Sequence, residues 1–281
     1  TAREPILLIH GTALDPANNF GWNWQPALEM EDRPYCTLAL VNDGMGDAQE
    51  SAERVVLALK EMNQVSGQKI DIVGYSQGGL IPRWGIQFFP EVIDWIDDFI
   101  AISPSNHGSL DADGLCQFSS CAASIWQQTT TSNLLGVLNA DGMETVPQID
   151  YTVIFTRYDQ VVTPNFDSPL GAPSSPLRNE GENIVNIEMQ SVCPQNVADH
   201  LTSGTSDALA YALAIDAADN DGVADPARLA EDICQQPFMP GVNPATAAID
   251  FANLGVLIAR NLASAERLPA EPSLRSYTQS N

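Results

Sequence analysis

Short runs of consecutive apolar residues, each ended by turn residues, alternate along the chain with stretches whose apolar positions recur at helical spacing. Pro5-Ile6-Leu7-Leu8-Ile9 breaks at His10-Gly11-Thr12 and reads as a buried strand entering a turn. Thr37 to Val41 reads as a second strand. Ala52, Val55, Val56, Leu59 and Met62 then repeat every three or four residues, behind Asp47 as N-cap and ahead of a stop near Gly67, and so predict a helix. Ile70 to Val73 follows as a third strand, and strand, helix and strand in that order make a parallel crossover unit. The alternation continues through Phe99–Ile102, Tyr151–Phe155 and Ile184–Ile187. Together these predict an α/β fold: a mostly parallel, doubly wound sheet with helices on both faces.

Residues 110–143 interrupt this rhythm with Ser, Thr, Gln and Cys, and predict an insertion over the sheet. Within it, 115–125 is a lid candidate, with a plain surface loop as the competing reading. Ala245 to Leu262 returns to helical spacing, and 268–281 reads as a surface tail. A length of 281 residues suits one catalytic domain spanning 1–281. No uninterrupted apolar run reaches the roughly 18 residues of a membrane span, and Thr1 stands almost directly before a strand, so any signal peptide is expected to have been removed.

Charge and cysteines narrow the setting. With 36 acidic against 12 basic residues the net charge is −24, which argues against nucleic acid and anionic membranes as partners and is compatible with a saline or extracellular medium. The five cysteines, Cys36, Cys116, Cys121, Cys193 and Cys234, have no zinc-cluster spacing. Two disulfides and one thiol is the simplest oxidised reading and favours a secreted, extracellular or periplasmic protein. Asp219, Asp221 and Asp225, around Gly222, resemble part of a calcium loop without its full pattern, so a solvated acidic loop is the favoured reading.

Gly74-Tyr75-Ser76-Gln77-Gly78 lies between the third strand and an apolar helical stretch, Leu80 to Phe89. That is the context a GxSxG elbow requires, since the glycines permit a strained turn that holds a serine hydroxyl above the sheet edge. A serine hydroxyl needs a base, and there are three histidines. His10 ends the first strand and suits loop shaping. His107 follows the strand beside the elbow and suits a pocket wall or a satisfied loop position. His200 follows the last strand, in the order serine, acid, histidine expected of this fold, and is the preferred base. Asp159, just past the strand Tyr151–Phe155, is the preferred acid; Asp199 and Asp167 are the rival carboxylates.

The segments Gln77-Gly78-Gly79-Leu80, Trp84-Gly85 and Phe88-Phe89-Pro90 resemble those after the nucleophile in the lipase B-like family of serine lipases with the α/β-hydrolase fold. Leu7-Leu8-Ile9 with Gly11-Thr12, Ser124 to Thr130, Asp159 to Pro164, Val192-Cys193 and Asp199-His200 extend the likeness, in one order, over roughly residues 4–260. The resemblance implies a triad of Ser76, Asp159 and His200, oxyanion donors Thr12 and Gln77, ester hydrolysis without a cofactor, and a Cys193–Cys234 bridge. It places Leu254 at the mouth of an acyl channel and Tyr75 in the pocket where the family carries Trp. Cys36 matches a cysteine whose partner lies upstream of Thr1. Cys116 and Cys121 have no counterpart; a small local bridge between them is the expectation from the chain itself. Gly74 restores an elbow glycine the family lacks, and Ser103 to Ser109 departs from its pattern, bringing His107 near the site.

The expected substrate is a small-molecule or lipid ester, such as an acylglycerol, met in solution or at a lipid–water interface. Two other classes fit the same residues: an acyltransferase, because an acyl-enzyme can be resolved by an alcohol, and a binding protein that keeps the fold without the chemistry. Release of p-nitrophenol from acyl esters separates the binding protein from the others; product analysis with added alcohol separates the two enzymes.

Overall fold

A computed structural model describes residues 3–117, 120–140 and 144–279. The predicted insertion and lid candidate thus include residues outside the described ones, 118–119 and 141–143, as does the tail at 280–281. Six strands form one sheet: β1 (Ile6–Ile9), β2 (Tyr35–Leu38), β3 (Ile70–Tyr75), β4 (Ile96–Ile102), β5 (Asp150–Phe155) and β6 (Ile184–Glu188). Their order is β2-β1-β3-β4-β5-β6, and every pairing is parallel.

Both faces of the sheet are covered, which is why its strands read as continuous apolar runs rather than alternating ones. Side chains of successive residues point to opposite faces. Ile6, Leu8, Val73, Ile100 and Ile154 therefore join one core with the helices Trp24–Met30 and Ala208–Asp219, while Leu7, Ile9, Ile72, Phe99 and Val153 join a second with the helices Ala48–Ser66 and Ile81–Phe88. Fully burying each such aliphatic side chain contributes about 1.5–3 kcal/mol before chain entropy is counted. The Ala48–Ser66 helix has the predicted ends: Asp47 accepts from the Gln49 amide (2.9 Å), and Gly67 stops it at φ +67°.

The second strand starts two residues and ends three residues earlier than its apolar run suggests, and the early end has a local cause. The amide of Leu40 donates to His10 Nε2 (3.0 Å) and that of Val41 to Ser51 Oγ (3.1 Å), so side chains take the donors a longer strand would use. The Ala208–Asp219 helix has no counterpart in the predicted elements. Leu209, Ala210, Leu213, Ala214 and Ala217 bury it nearly all round, which erases the one-sided period by which helices are recognised.

Two disulfides are formed, Cys116–Cys121 and Cys193–Cys234, each with Cα atoms 5.4 Å apart, and Cys36 is free and exposed on β2. The first closes the end of the Leu110–Cys116 helix, where Cys121 exchanges backbone hydrogen bonds with Leu268. From there the tail runs on to Tyr277, whose ring packs on Phe88 and Phe89 and whose hydroxyl accepts from Trp84 Nε1 (3.1 Å). No helix among the described residues is long and apolar enough to cross a membrane.

Candidate active site

Ser76 stands where β3 ends and a tight turn, Ser76–Gly79, leads into the Ile81–Phe88 helix. Its φ of +54° is a conformation that L residues seldom adopt, held here by close backbone packing. A Cβ on Gly74 would lie 2.1 Å from the carbonyl oxygen of Gly78, and one on Gly78 would lie 2.1 Å from that of Ile9. A side chain at either elbow glycine would therefore push main chain against main chain and force the turn to shift.

His200 is the first residue of the His200–Thr205 helix, and Asp159 lies on the loop after β5. Both come from carboxyl ends of the sheet, as Ser76 does, which brings residues far apart in sequence together. His200 Nε2 is 3.0 Å from Ser76 Oγ, and His200 Nδ1 is 2.7 Å from Asp159 Oδ2. All three are buried. Asp159 also accepts from the amides of Val161 (2.9 Å) and Val162 (2.7 Å), and more distantly from Asn165 Nδ2 (3.4 Å), so its carboxylate is held in place. A carboxylate only accepts, so Nδ1 carries the proton and Nε2 presents a lone pair to the serine hydroxyl. This arrangement can take the hydroxyl proton as Ser76 attacks a carbonyl, with Asp159 stabilising the resulting imidazolium.

The rival residues have other work. His10 donates from Nδ1 to the Gly11 carbonyl (2.8 Å) and accepts at Nε2 from Leu40, leaving no free lone pair; burial pushes its pKa below the ordinary histidine value. His107 lies between the Ser174 carbonyl (2.8 Å) and Glu144 Oε1 (3.0 Å). Burial pushes the Glu144 carboxyl up, but His107, the Arg178 amide and Arg83 outweigh it and hold the group below its usual range. Asp199 caps the helix that begins with His200, accepting from the Thr202 amide (2.8 Å) while Thr202 Oγ1 accepts from its own amide (2.9 Å). Asp167 is exposed on its loop.

Thr12 follows β1, the strand beside β3; a Cβ on its neighbour Gly11 would come within 3.2 Å of Ser76 Cβ. Thr12 Oγ1 accepts from Gln128 Nε2 (3.1 Å), which leaves the threonine proton free to donate elsewhere. Sequence reasoning missed Gln128, which carries no local signal because its partner is 116 residues away. Gln77 is buried immediately after Ser76, and its side-chain amide has no hydrogen-bond partner among the described residues.

A cavity of about 510 Å³ opens over Ser76 and Thr12, walled mainly by Leu110, Leu115, Ile125, Val162, Ile258 and Leu262. Leu254 does not reach it. That residue is 1% exposed within the core, and the same row of the Ala247–Ser264 helix meets the cavity one and two turns later, at Ile258 and Leu262. Tyr75 is likewise not a wall of the cavity: its ring lies 5.2 Å from that of His200, against Gly204, and its hydroxyl donates to the His200 carbonyl (3.0 Å). Burial first, then Asp159 and Asp199, raise its phenol pKa well above the usual value. Nor do Asp219, Asp221 and Asp225 gather as ligands. Asp219 accepts from Arg33 (2.6 Å), and Asp225 caps the turn Pro226–Arg228.

Residues 53–199 match the model of the family described as lipase (class 2). The chain is 34% identical over 207 residues to lipase B of Pseudozyma antarctica, a match covering 72% of this chain and 58% of that protein. Among solved structures, Aspergillus fumigatus lipase B superposes with a TM-score of 0.85 at 25% identity, over 98% of this chain and 66% of the other. The matches thus span somewhat under two thirds of each relative's length. On the extent of the family match and the identity to a lipase B, the chain belongs to the class 2 lipases, with the α/β-hydrolase fold.

Proposed function

We propose that the protein is a serine carboxylic-ester hydrolase that cleaves acylglycerols or similar neutral lipid-like esters through an acyl-enzyme on Ser76. The observation that carries this reading is the chain of contacts from Asp159 through His200 to Ser76 Oγ, opening into an apolar cavity. Ser76 attacks the ester carbonyl while His200 accepts its proton; the alcohol leaves with that proton, and a water activated by His200 then releases the acid. The oxygen of each tetrahedral intermediate gains negative charge, which the backbone N–H groups of Thr12 and Gln77, with the Thr12 hydroxyl, stabilise. The apolar walls take the acyl chain, each buried methylene contributing about 0.8 kcal/mol. The two disulfides support action in an oxidising, extracellular setting, where the ester can be met at a lipid–water interface. Release of p-nitrophenol from short- and long-chain acyl esters tests the reading. Wild-type protein should turn over both, and Ser76→Ala should be inactive with an unchanged melting temperature; equal turnover by the variant would refute it.

A further inference from the structure

At the end of the sheet opposite Ser76, carboxylates stand at the start of four adjacent strands: Glu4 just before β1, Asp71 on β3, Asp97 and Asp98 on β4, and Asp150 on β5. Asp98 and Asp150 are paired in register, and Asp71, Asp98 and Asp150 share the sheet face of Val73, Ile100 and Ile154. The cations at hand are Arg33, which pairs with Asp71 Oδ2 (2.6 Å) but is shared with Asp219, and Lys69, which pairs with Asp97 (3.0 Å). Five carboxylates thus face two cations, in a place where Asp71 and Asp98 are nearly shut off from water. Burial, then the neighbouring carboxylates, push Asp98 up to about 9, so it sheds its charge by holding a proton, and the others keep theirs only where positive charge joins them.

Two independent details say where that charge belongs. Asp71 Oδ1 is buried and has no hydrogen-bond partner among the described residues, while the other oxygen of the same carboxylate accepts from Arg33. Ligand oxygens of Glu4, Asp71 and Asp97 all fall within 4.8 Å of one another. Oxygens about 2.3–2.6 Å from a calcium ion stand at most roughly 5 Å apart, so this set fits around one such ion.

We propose that Glu4, Asp71 and Asp97 form a calcium site that ties β1, β3 and β4 together at their amino ends. An all-oxygen donor set selects a hard cation, and the partly exposed Glu4 and Asp97 leave room for water to complete the coordination. The site is remote from the cavity at the carboxyl ends of the strands, so the ion acts on stability and leaves the turnover of a folded enzyme alone. Binding only the folded chain, it raises the melting temperature by mass action.

Chelator-stripped protein titrated calorimetrically with calcium chloride at constant ionic strength tests this, with melting temperature measured in parallel. One calcium ion should bind per chain with a dissociation constant of about 10⁻⁴–10⁻³ M, the range of extracellular modules, and the melting temperature should rise with calcium. Glu4→Gln and Asp97→Asn, both on partly exposed side chains, should each weaken binding at least tenfold, whereas Asp221→Asn, in the neighbouring acidic loop, should leave it unchanged. Absence of saturable binding in the wild type, equal binding in Asp97→Asn, or loss of binding in Asp221→Asn would each overturn the proposal.

Discussion

Single residues at this site are defined by which lone pairs and protons they have to spare. Gln128 fills one acceptor position of Thr12 Oγ1, so the hydroxyl proton is available to the proposed oxyanion. Thr12→Val, which keeps the shape, should lower kcat about 10²–10³-fold with little change in KM, and Thr12→Ser should restore most of the rate. If instead the hydroxyl only shapes the turn, steady-state kinetics would show kcat within about threefold of wild type and only the melting temperature would fall. His10 illustrates the opposite case, a ring locked neutral with one nitrogen donating and the other accepting. Its pKa in the folded chain lies below the unfolded value of 6.5, so it contributes stability at higher pH that is lost as pH falls below about 6.5 and towards the depressed folded value. Each pH unit in that window removes up to about 1.4 kcal/mol. Denaturant titrations at several pH values should show the wild type losing stability more steeply with acidification than His10→Gln; parallel slopes would contradict the assignment. The elbow and the meeting of Ser76, Asp159 and His200 were legible because their signals are local or follow a fixed chain order. The positions of Gln128, Ile258 and Leu262 at the cavity were not, since they depend on how a helix and a loop more than a hundred residues from Thr12 happen to be turned.

At the scale of elements, legibility followed burial. Strands covered on both faces announced themselves as unbroken apolar runs, and the one that was misplaced, β2, is an edge strand that stops short of Leu40 and Val41, whose amides are taken by His10 and Ser51. The Ala208–Asp219 helix was invisible for the reverse reason: with apolar residues on every side it has no period to detect. Cys193–Cys234 fastens the segment entering the His200 helix to the turn at Ile233–Gln235, across a separation of 41 residues. Replacing both cysteines by serine should cost about 2–5 kcal/mol of unfolding free energy, as the unfolded chain regains the freedom the bridge removed. Equilibrium unfolding by urea measures the loss, and an unchanged midpoint would show that the bridge constrains nothing the fold does not already hold.

Across the whole molecule, the two ends of one parallel sheet are used differently. The carboxyl ends gather Ser76, His200 and Asp159 under an apolar cavity, as open α/β sheets generally place their ligands. The amino ends gather acidic residues, within a chain whose net charge is −24. The sequence read as an acidic chain without revealing the second arrangement, because Glu4, Asp71 and Asp97 carry no shared motif and meet only through strand order. At the carboxyl ends, Ser76 is proposed to be a nucleophile activated by His200 and Asp159. Covalent labelling by an alkyl phosphonate ester, located by peptide mass spectrometry, tests it most directly. One adduct should form on Ser76 in the wild type and none in Ser76→Ala, with labelling abolished or slowed by orders of magnitude in His200→Ala and little changed in His107→Ala. An adduct on another residue, or His107→Ala silent while His200→Ala labels normally, would contradict it.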